Sequence, residues 1–159
     1  MTAQRLETIR VEKPWGRRNL WPGFADPQPG ADPVGEIWFA PPEGDAAELL
    51  VKYLFTSERL SIQVHPDDAA AREAGFPRGK EEAWLILAAE PDSTIALGTK
   101  FAVTREALRA AALDGSIEEL MDWKPVKSGD VIYSPAGTVH AIGAGITLIE
   151  VQQNVDLTY

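Results

Sequence analysis

Two short stretches carry the two histidines of this 159-residue chain, and each places its histidine where a metal ligand could lie. The first stretch, LSIQVHPDD, contains Gln63 and His65. Side chains two residues apart lie on the same face of a β-strand, so this strand can present an amide oxygen and an imidazole nitrogen to one ion. A polar strand face is more often simply solvated, and this spacing alone is compatible with that alternative.

The second histidine, in SGDVIYSPAGTVHAIGAG, follows two turn signals. Gly129 predicts a turn into a strand, and Pro135 with Gly137 predict a second tight turn. His140 is then expected at the start of the returning strand. A lone histidine in such a hairpin is more often a partly buried structural residue, but the full spacing favours a ligand.

Glu82 completes a possible ligand set. In GKEEAWLIL it shares a strand face with Trp84, at the mouth of an apolar strand. An acid there is usually a solvated strand end, unless other ligands converge on it. The complete set of two nitrogen and two oxygen ligands comprises Gln63, His65, Glu82 and His140. Such a set suits Zn²⁺ or another divalent first-row ion, which could act as a Lewis acid toward sugar oxygens.

Composition limits what else the chain can be. A length of 159 residues, 45% of them hydrophobic and 25% charged, fits one compact domain with a sizeable core. The net charge of −9 argues against a nucleic-acid partner and requires any anionic ligand to find a local cluster of lysine or arginine. The absence of cysteine excludes disulfides and thiolate metal sites. No apolar leader or run of roughly 18 apolar residues is present, so we expect a cytoplasmic protein without a membrane partner.

The elements that must position these residues are mainly short strands. Turn residues separate most of the β-type runs, a pattern that predicts an antiparallel sandwich or barrel. The runs are GEIWFA, ELLVKYLF, LSIQV, EAWLILA, STIALG, DVIYS, VHAIG and TLIEVQ.

Helical signals interrupt the strands in only two places. HPDDAAAREAGF predicts a short helix that ends at Gly75. Residues 104–122 predict two short helices, the second starting with a capping box of Ser116 and Glu119. Residues 1–34 are expected to be loop-rich, because they contain WPGFADPQPGADPVG.

Several of these stretches resemble one known family. SPAGTVHAIG, with Gly129 before it, resembles the second conserved motif of the cupin superfamily. More narrowly, LSIQVHPDD, GKEEAW, GTVHAIG and EVQQNVDLTY resemble the type I mannose-6-phosphate isomerases, and EKPWGRRNL resembles that family's N-terminal segment. The Gln-x-His-Pro-Asp stretch is specific, since most cupins carry His-x-His there. The resemblance runs from about residue 10 to the last residue.

The resemblance implies a fold and a set of site residues. The fold is all-β, a cupin-type antiparallel β-barrel or jelly roll with a few short helices, and residues 1–159 are expected to form a single cupin domain. The family's metal ligands, usually around Zn²⁺, fall on Gln63, His65, Glu82 and His140. Its substrate contacts fall on Ser61, Lys52 and Lys80. The two lysines would supply a local positive cluster; alternatively, Lys80 is an ordinary loop lysine and Lys52 extends to a sheet edge.

The implied activity is a metal-dependent aldose–ketose isomerisation of mannose 6-phosphate and fructose 6-phosphate through a cis-enediol, with a phosphorylated hexose as partner. Lys80 and Asp156 are expected nearest the proton transfer, Asp156 on the family's conserved aspartate. An aspartate near the chain end is otherwise an ordinary solvated residue. Glu150 is a weaker candidate for the general base, whose identity the sequence leaves open.

The chain departs from the family pattern at its end. It stops at Tyr159, where family members continue with an arginine thought to stabilise the enediolate, and it lacks their C-terminal second β-domain. The helical domain of larger members is reduced to about 104–122. We therefore expect a fragment of a longer enzyme, although a neighbouring subunit that completes the site is an alternative.

Two other functions remain open from the sequence. One is a metal-binding cupin that senses sugar phosphates with little or no catalysis, and the other is a structural β-sandwich without a metal. The sequence indicates neither the native metal nor the oligomeric state.

Overall fold

The computed structural model describes residues 3–41 and 47–159, so the first two residues of the predicted loop-rich segment lie outside it. Within these ranges the chain forms nine β-strands and three short helices. Their bounds in chain order are β1 Glu7–Arg17, β2 Val34–Ala40, β3 Leu49–Phe55, α1 Asp68–Glu73, β4 Glu82–Ala89, β5 Thr94–Thr99, α2 Arg105–Asp114, α3 Ile117–Leu120, β6 Met121–Pro125, β7 Val131–Ser134, β8 His140–Ile142 and β9 Ile146–Gln153.

The strands form two antiparallel sheets. The larger sheet has six strands in the order β1-β2-β3-β9-β4-β7, and the smaller one has three in the order β6-β5-β8. Many neighbours in these sheets are far apart in the chain, so the connections cross between the sheets as they do in a jelly roll. The prediction of an all-β antiparallel fold is confirmed.

The main core lies between the two sheets. Trp84 and Ile86 of the larger sheet pack in one cluster with Ile95 and Ile142 of the smaller sheet. Neighbouring residues on a strand face opposite ways, so Ala96, next to Ile95, belongs to a separate cluster on the other face of the smaller sheet. The two sheets therefore enclose a central space, and the functional site lies within it.

Strand β1 lies in the segment that we predicted to be loop-rich. It is an edge strand that pairs only with β2 among the described strands, and most of its residues are exposed. A strand without a buried face has no strong alternation of apolar and polar residues, which explains why the sequence did not indicate it. The Pro/Gly-rich residues 18–33 that follow are irregular, as predicted.

The run LSIQV is extended, but it does not form a regular strand. It makes an isolated antiparallel bridge between Gln63 and His140, and the amide of Leu60 donates to the carbonyl of Ile142 at 2.9 Å. Its faces alternate as predicted only from Ile62 onward, because Ile62 and Val64 pack against the cluster on the outer face of the smaller sheet. Leu60, two residues before Ile62, packs instead against the main core. For Gln63 and His65 the predicted orientation holds without a continuous ladder.

The three predicted helices are present. The side chain of Asp67 caps α1, because it accepts a hydrogen bond from the backbone amide of Ala70 at 2.9 Å. The predicted capping box at Ser116 is wrong, because the side chain of Ser116 makes no capping hydrogen bond. Ser116 has helical backbone angles, and its hydroxyl donates to the carboxylate of Asp114 at 2.7 Å. The helical insert also ends before residue 122, because Met121 is buried and pairs with β5. No helix in the described ranges is long and apolar enough to cross a membrane.

Candidate metal centre

Three side chains from distant parts of the chain meet between the sheets. His65 ends the extended run, Glu82 is the first residue of β4, and His140 is the first residue of β8. Their candidate ligand atoms all lie within 4.8 Å of one another. Each residue is at most 5% exposed. The structure thus brings together three of the four predicted ligands.

The predicted turn before His140 determines where this histidine lies. Gly137 has a φ of 81°, in the left-handed region that favours glycine, and the amide of Thr138 donates to the carbonyl of Pro135 at 3.1 Å. The amide of Gly137 also donates to the carbonyl of His65 at 2.6 Å. The two histidine-bearing stretches are therefore hydrogen-bonded to each other through their backbones.

Backbone carbonyls determine which nitrogen of each histidine faces the centre. Nδ1 of His65 lies 3.0 Å from the carbonyl of Leu157, and Nδ1 of His140 lies 2.9 Å from the carbonyl of Thr138. A carbonyl can only accept, so each Nδ1 carries the proton and donates it. Each Nε2 then carries a lone pair that points toward Glu82. The distance from Nε2 to a carboxylate oxygen of Glu82 is 3.3 Å for His65 and 3.5 Å for His140.

These lone pairs fit a bound cation. Nε2 of His65 is buried and has no hydrogen-bond partner among residues 3–41 and 47–159. A lone pair facing the oxygens of Glu82 is unfavourable unless a cation or a proton lies between them. Burial lowers the pKa of His140 despite nearby groups that raise it, which favours the neutral ring that a metal requires. The donor set therefore suits a divalent metal ion.

The charge state of Glu82 also suits a metal ligand. Burial raises its pKa, but in the metal-free protein a proton between Glu82 and His65, in the place of the cation, and the charge of Lys80 outweigh burial and hold the pKa at about 2. The Nζ atom of Lys80 lies 2.9 Å from the Oε1 atom of Glu82. Glu82 is therefore an ionised candidate ligand across the neutral range.

The fourth predicted ligand, Gln63, lies beside this cluster. Its Nε2 donates to the hydroxyl of Ser61 at 2.8 Å, which leaves the amide oxygen as the atom suited to a metal. Its backbone pairs with that of His140 in both directions, at 2.9 and 2.8 Å. This pairing places Gln63 along the same cavity as Glu82 and His140.

A cavity of about 80 Å³ adjoins the cluster. Its lining combines three of the four candidate ligands, both predicted lysines and several apolar residues: Glu36, Lys52, Leu54, Leu60, Ser61, Gln63, Lys80, Glu82, His140, Ala141, Ile142 and Glu150. All three predicted substrate contacts are therefore in its wall. The volume is well below the roughly 300 Å³ at the lower end of small-molecule sites, so it suits only one end of a sugar-sized ligand.

Both predicted lysines are paired with carboxylates. Besides the contact of Lys80 with Glu82, the Nζ atom of Lys52 lies 3.5 Å from Glu36 and 3.5 Å from Glu150. The cavity lining thus carries three carboxylates and two ammonium groups. A divalent cation would turn this balance from net negative to net positive, which an anionic ligand needs.

Glu150, only a weaker candidate for the general base from the sequence, lies in the wall of the cavity. It accepts from the indole nitrogen of Trp84 at 3.0 Å. Burial and then the negative charge of Glu82 raise its pKa, while Lys52 and Trp84 act in the opposite direction. A buried carboxyl with a raised pKa is suited to taking up and releasing a proton.

Glu36 also lines the cavity and was not predicted from the sequence. It lies on β2, where its carboxylate contacts Lys52 and accepts from the indole nitrogen of Trp38. A signal was present, because Glu36 shares a strand face with Trp38 inside the apolar run GEIWFA. An acid on a buried face needs a partner, and Lys52 supplies it.

The structure does not bring Asp156 to the cavity. Asp156 is exposed and is absent from the residues that line the cavity. Its neighbour Leu157 is 8% exposed and holds His65 through its carbonyl. Because adjacent residues of an extended segment face opposite ways, the inward position of Leu157 turns Asp156 toward solvent.

Known proteins similar to this chain are mannose-6-phosphate isomerases. No protein-family model matches the sequence. Mannose-6-phosphate isomerase of Streptococcus mutans is 43% identical over 111 residues, which are 70% of this chain and 35% of that protein. Mannose-6-phosphate isomerase ManA of Bacillus subtilis is 42% identical over 133 residues, which are 79% of this chain and 42% of that protein. The chain thus spans less than half the length of these relatives.

The solved structures that are similar to this chain are also mannose-6-phosphate isomerases or phosphomannose isomerases. The mannose 6-phosphate isomerase from Bacillus subtilis superposes with a TM-score of 0.81 at 30% identity, over 97% of this chain and 59% of that one. A mutant of phosphomannose isomerase from Salmonella typhimurium gives a TM-score of 0.68 at 18% identity, over 98% of this chain and 70% of that one, and supports the fold alone. The cupin-type fold and the resemblance found in the sequence are therefore confirmed.

Proposed function

Because the chain is a relative of the mannose-6-phosphate isomerases, we propose that its cavity binds a phosphorylated hexose and interconverts mannose 6-phosphate and fructose 6-phosphate. The observation that carries this proposal is the convergence of His65, Glu82 and His140 beside a cavity that Lys52 and Glu150 also line. The proposal concerns this chain, a single cupin domain spanning residues 1–159. A cytoplasmic location and the lack of a nucleic-acid partner stay predictions from the sequence.

The proposed metal is Zn²⁺, because two imidazole nitrogens with a carboxylate oxygen and an amide oxygen form a set that zinc accepts. The ligands would be Gln63, His65, Glu82 and His140. The backbone carbonyls that accept from each Nδ1 hold the two rings in place, as partners of metal-bound histidines commonly do. When bound, the ion supplies Lewis-acid stabilisation of negative charge on the sugar oxygens.

Glu150 is the group that we propose moves the carbon-bound proton. As a carboxylate it takes the proton from C2 of the open-chain aldose, which gives a cis-enediolate and a carboxylic acid. The acid then returns the proton to C1, while the hydroxyl proton of O2 moves to O1. Lys52, 3.5 Å from Glu150, positions this carboxyl group in the cavity wall.

The size of the cavity supports one orientation of the substrate. At about 80 Å³, it holds the reacting C1–C2 end of a hexose rather than the whole molecule. The phosphate would then lie outside, beyond the exposed Ser61. Lys80, which contacts Glu82 at 2.9 Å, would lie near the reacting oxygens as a hydrogen-bond donor.

The test combines metal analysis with a coupled assay of fructose 6-phosphate formation from mannose 6-phosphate. We expect about one metal ion per chain and turnover that is lost in His140→Ala together with the metal. Bound metal and sugar phosphate without turnover would favour the sensing cupin instead. A chain without stoichiometric metal would contradict the proposed metal centre.

Two matched acid-to-amide variants test the proton-transfer role. Glu150→Gln should lose turnover by about 10²-fold or more and keep its metal, because it removes the proposed base. Asp156→Asn makes the same chemical change at an exposed residue and should retain turnover. Equal losses in both variants would overturn the assignment of Glu150.

A further inference from the structure

We propose that Gln152 is a further positioning residue of the metal centre, whose amide oxygen accepts a hydrogen bond from a water molecule held beside the metal. This inference rests on the metal site proposed above. It concerns a residue of β9 that is neither in the predicted ligand set nor among the residues that line the cavity.

The strand register places Gln152 beside the centre. Gln152 pairs with Glu82 on one neighbouring strand and with Leu50 on the other. Because it lies two residues after Glu150, it shares the inner face of β9 with that residue. It is 4% exposed, so its polar atoms do not form hydrogen bonds with bulk solvent.

The amide oxygen of Gln152 lacks a partner within the described part of the chain. Its Nε2 donates to the carbonyl of Gln153 at 3.2 Å. This contact determines the orientation of the amide, because a flipped group would bring two carbonyl oxygens together. A buried acceptor without a donor is unfavourable, and in native proteins it usually indicates an ordered water or an ion.

The protein groups around Glu82 do not supply the missing donor, because the amine of Lys80 contacts Glu82 and makes no hydrogen bond to Gln152. Glu82 is ionised, so its oxygens only accept, and they already face Lys80, His65 and His140. Nε2 of His65 is the other buried side-chain atom without a partner in residues 3–41 and 47–159, and it is an acceptor too. A cation with a water molecule satisfies both kinds of acceptor, since the cation meets the lone pairs and the water donates to the amide.

The experiment measures metal affinity separately from stability. The protein and its variants are titrated with Zn²⁺ against a chromophoric chelator and with Co²⁺ by visible absorption, and each chelator-treated form is melted. Gln152→Met keeps the shape and removes the acceptor. We expect its metal-free melting temperature to be equal or higher, and its Kd for metal to rise by about 10-fold or more, with an altered Co²⁺ spectrum.

Gln153→Met is the matched control on the opposite face of the same strand. The amide oxygen of Gln153 accepts from the backbone amide of Glu81 at 2.9 Å, so this variant loses a bond made within the protein. Its melting temperature should fall while its Kd for metal stays near that of the unmodified chain. Gln152→Glu retains an acceptor and should restore metal binding, which separates the acceptor role from general damage to the strand.

The possible outcomes distinguish the role of Gln152 from the proposed metal centre on which it rests. If the unmodified chain binds metal and Gln152→Met binds it equally well with the same Co²⁺ spectrum, the role of Gln152 is overturned and the metal centre stands. If the unmodified chain binds no metal, both are overturned.

Discussion

Glu82 and Glu150 line the same cavity, yet their pKa values shift in opposite directions. Burial raises both, but Glu82 also contacts His65 and the charged Lys80, and these contacts outweigh burial. Glu150 has Lys52 at 3.5 Å and feels the negative charge of Glu82, so burial prevails there. One carboxyl therefore suits a metal ligand and the other suits proton transfer.

Replacing Glu82 with glutamine should destabilise the metal-free protein at neutral pH and have little effect in acid. Its pKa falls from 4.5 to about 2 on folding, so its ionised form stabilises the fold above pH 4.5. That contribution is lost as the pH falls through about 2. The shift corresponds to about 3 kcal/mol. Urea unfolding with a chelator, measured from neutral to acid pH, checks this, and a difference that does not change with pH would contradict it.

Replacing Glu150 with glutamine should act in the other direction on stability. The pKa of Glu150 is raised on folding, so its contribution is fully present below its unfolded pKa and is lost as the pH rises through the folded value. Glu150→Gln cannot ionise, so in the metal-free protein it should gain stability relative to the unmodified chain as the pH rises. Unfolding curves at acid, neutral and alkaline pH measure this. A relative stability of Glu150→Gln that falls with pH would refute the raised pKa.

The sequence indicated the candidate metal ligands because their residue types and spacing are unusual on strands. It did not indicate Gln152 as a site residue, because alternation along a strand predicts which face a side chain occupies but not what lies opposite. The opposite residue, Glu82, lies 70 positions earlier in the chain. The carbonyls of Leu157 and Thr138 could not be predicted either, because every residue carries one.

The C-terminal segment is the element that most directly holds a candidate ligand. Val64 and Tyr159 exchange backbone hydrogen bonds of 2.8 and 3.0 Å, and the carbonyl of Leu157 accepts from His65. Deleting residues 157–159 should therefore release His65 and raise the Kd for metal by about 10- to 100-fold, as loss of the outer partner of a metal-bound histidine commonly does. Metal titration of the shortened chain measures this effect.

Deletion of residues 3–6 is the matched control, because these four residues are exposed and precede β1. It should leave the metal affinity close to that of the unmodified chain. Unchanged affinity after removal of 157–159 would show that the C-terminal contact is dispensable for His65.

The elements that the sequence predicted best have one buried face. In β4 and β9 apolar residues fill the core at every second position, which is the pattern that indicates a strand. β1 is an exposed edge, and β6 follows a helical pattern without a break, so neither had this signal. The extended run around Gln63 has the right alternation but pairs mainly through an isolated bridge, because its neighbour β8 is only three residues long.

At the scale of the whole molecule, the arrangement of the strands was less predictable than their existence. The larger sheet depends on β9, which pairs with both β3 and β4 although Lys52 and its partner Glu150 are 98 positions apart. Local patterns contain no information about such pairings, and the resemblance to a known family supplied the cupin-type architecture instead. The same long-range pairings bring the candidate metal ligands together, so folding and assembly of the site are coupled.

This coupling predicts that metal stabilises the whole fold. A ligand that binds only the folded state, at about 100 times its Kd, adds about 2.7 kcal/mol, which for a chain of this size raises the melting temperature by roughly 5–10 °C. Because burial lowers the pKa of His140, protonation of this ring should not remove the effect at its ordinary pKa of 6.5. The increment should persist there and disappear only in more acid solution.

Melting curves with excess Zn²⁺ or with a chelator, recorded from neutral to acid pH, measure this increment. His140→Ala serves as the control and should show no increment at any pH, because it lacks a ligand. An increment already lost at pH 6.5 in the unmodified chain would mean that protons compete with the metal more strongly than a buried, neutral imidazole allows. The lowered pKa of His140 would then be wrong, and the neutral ring at the candidate metal centre with it.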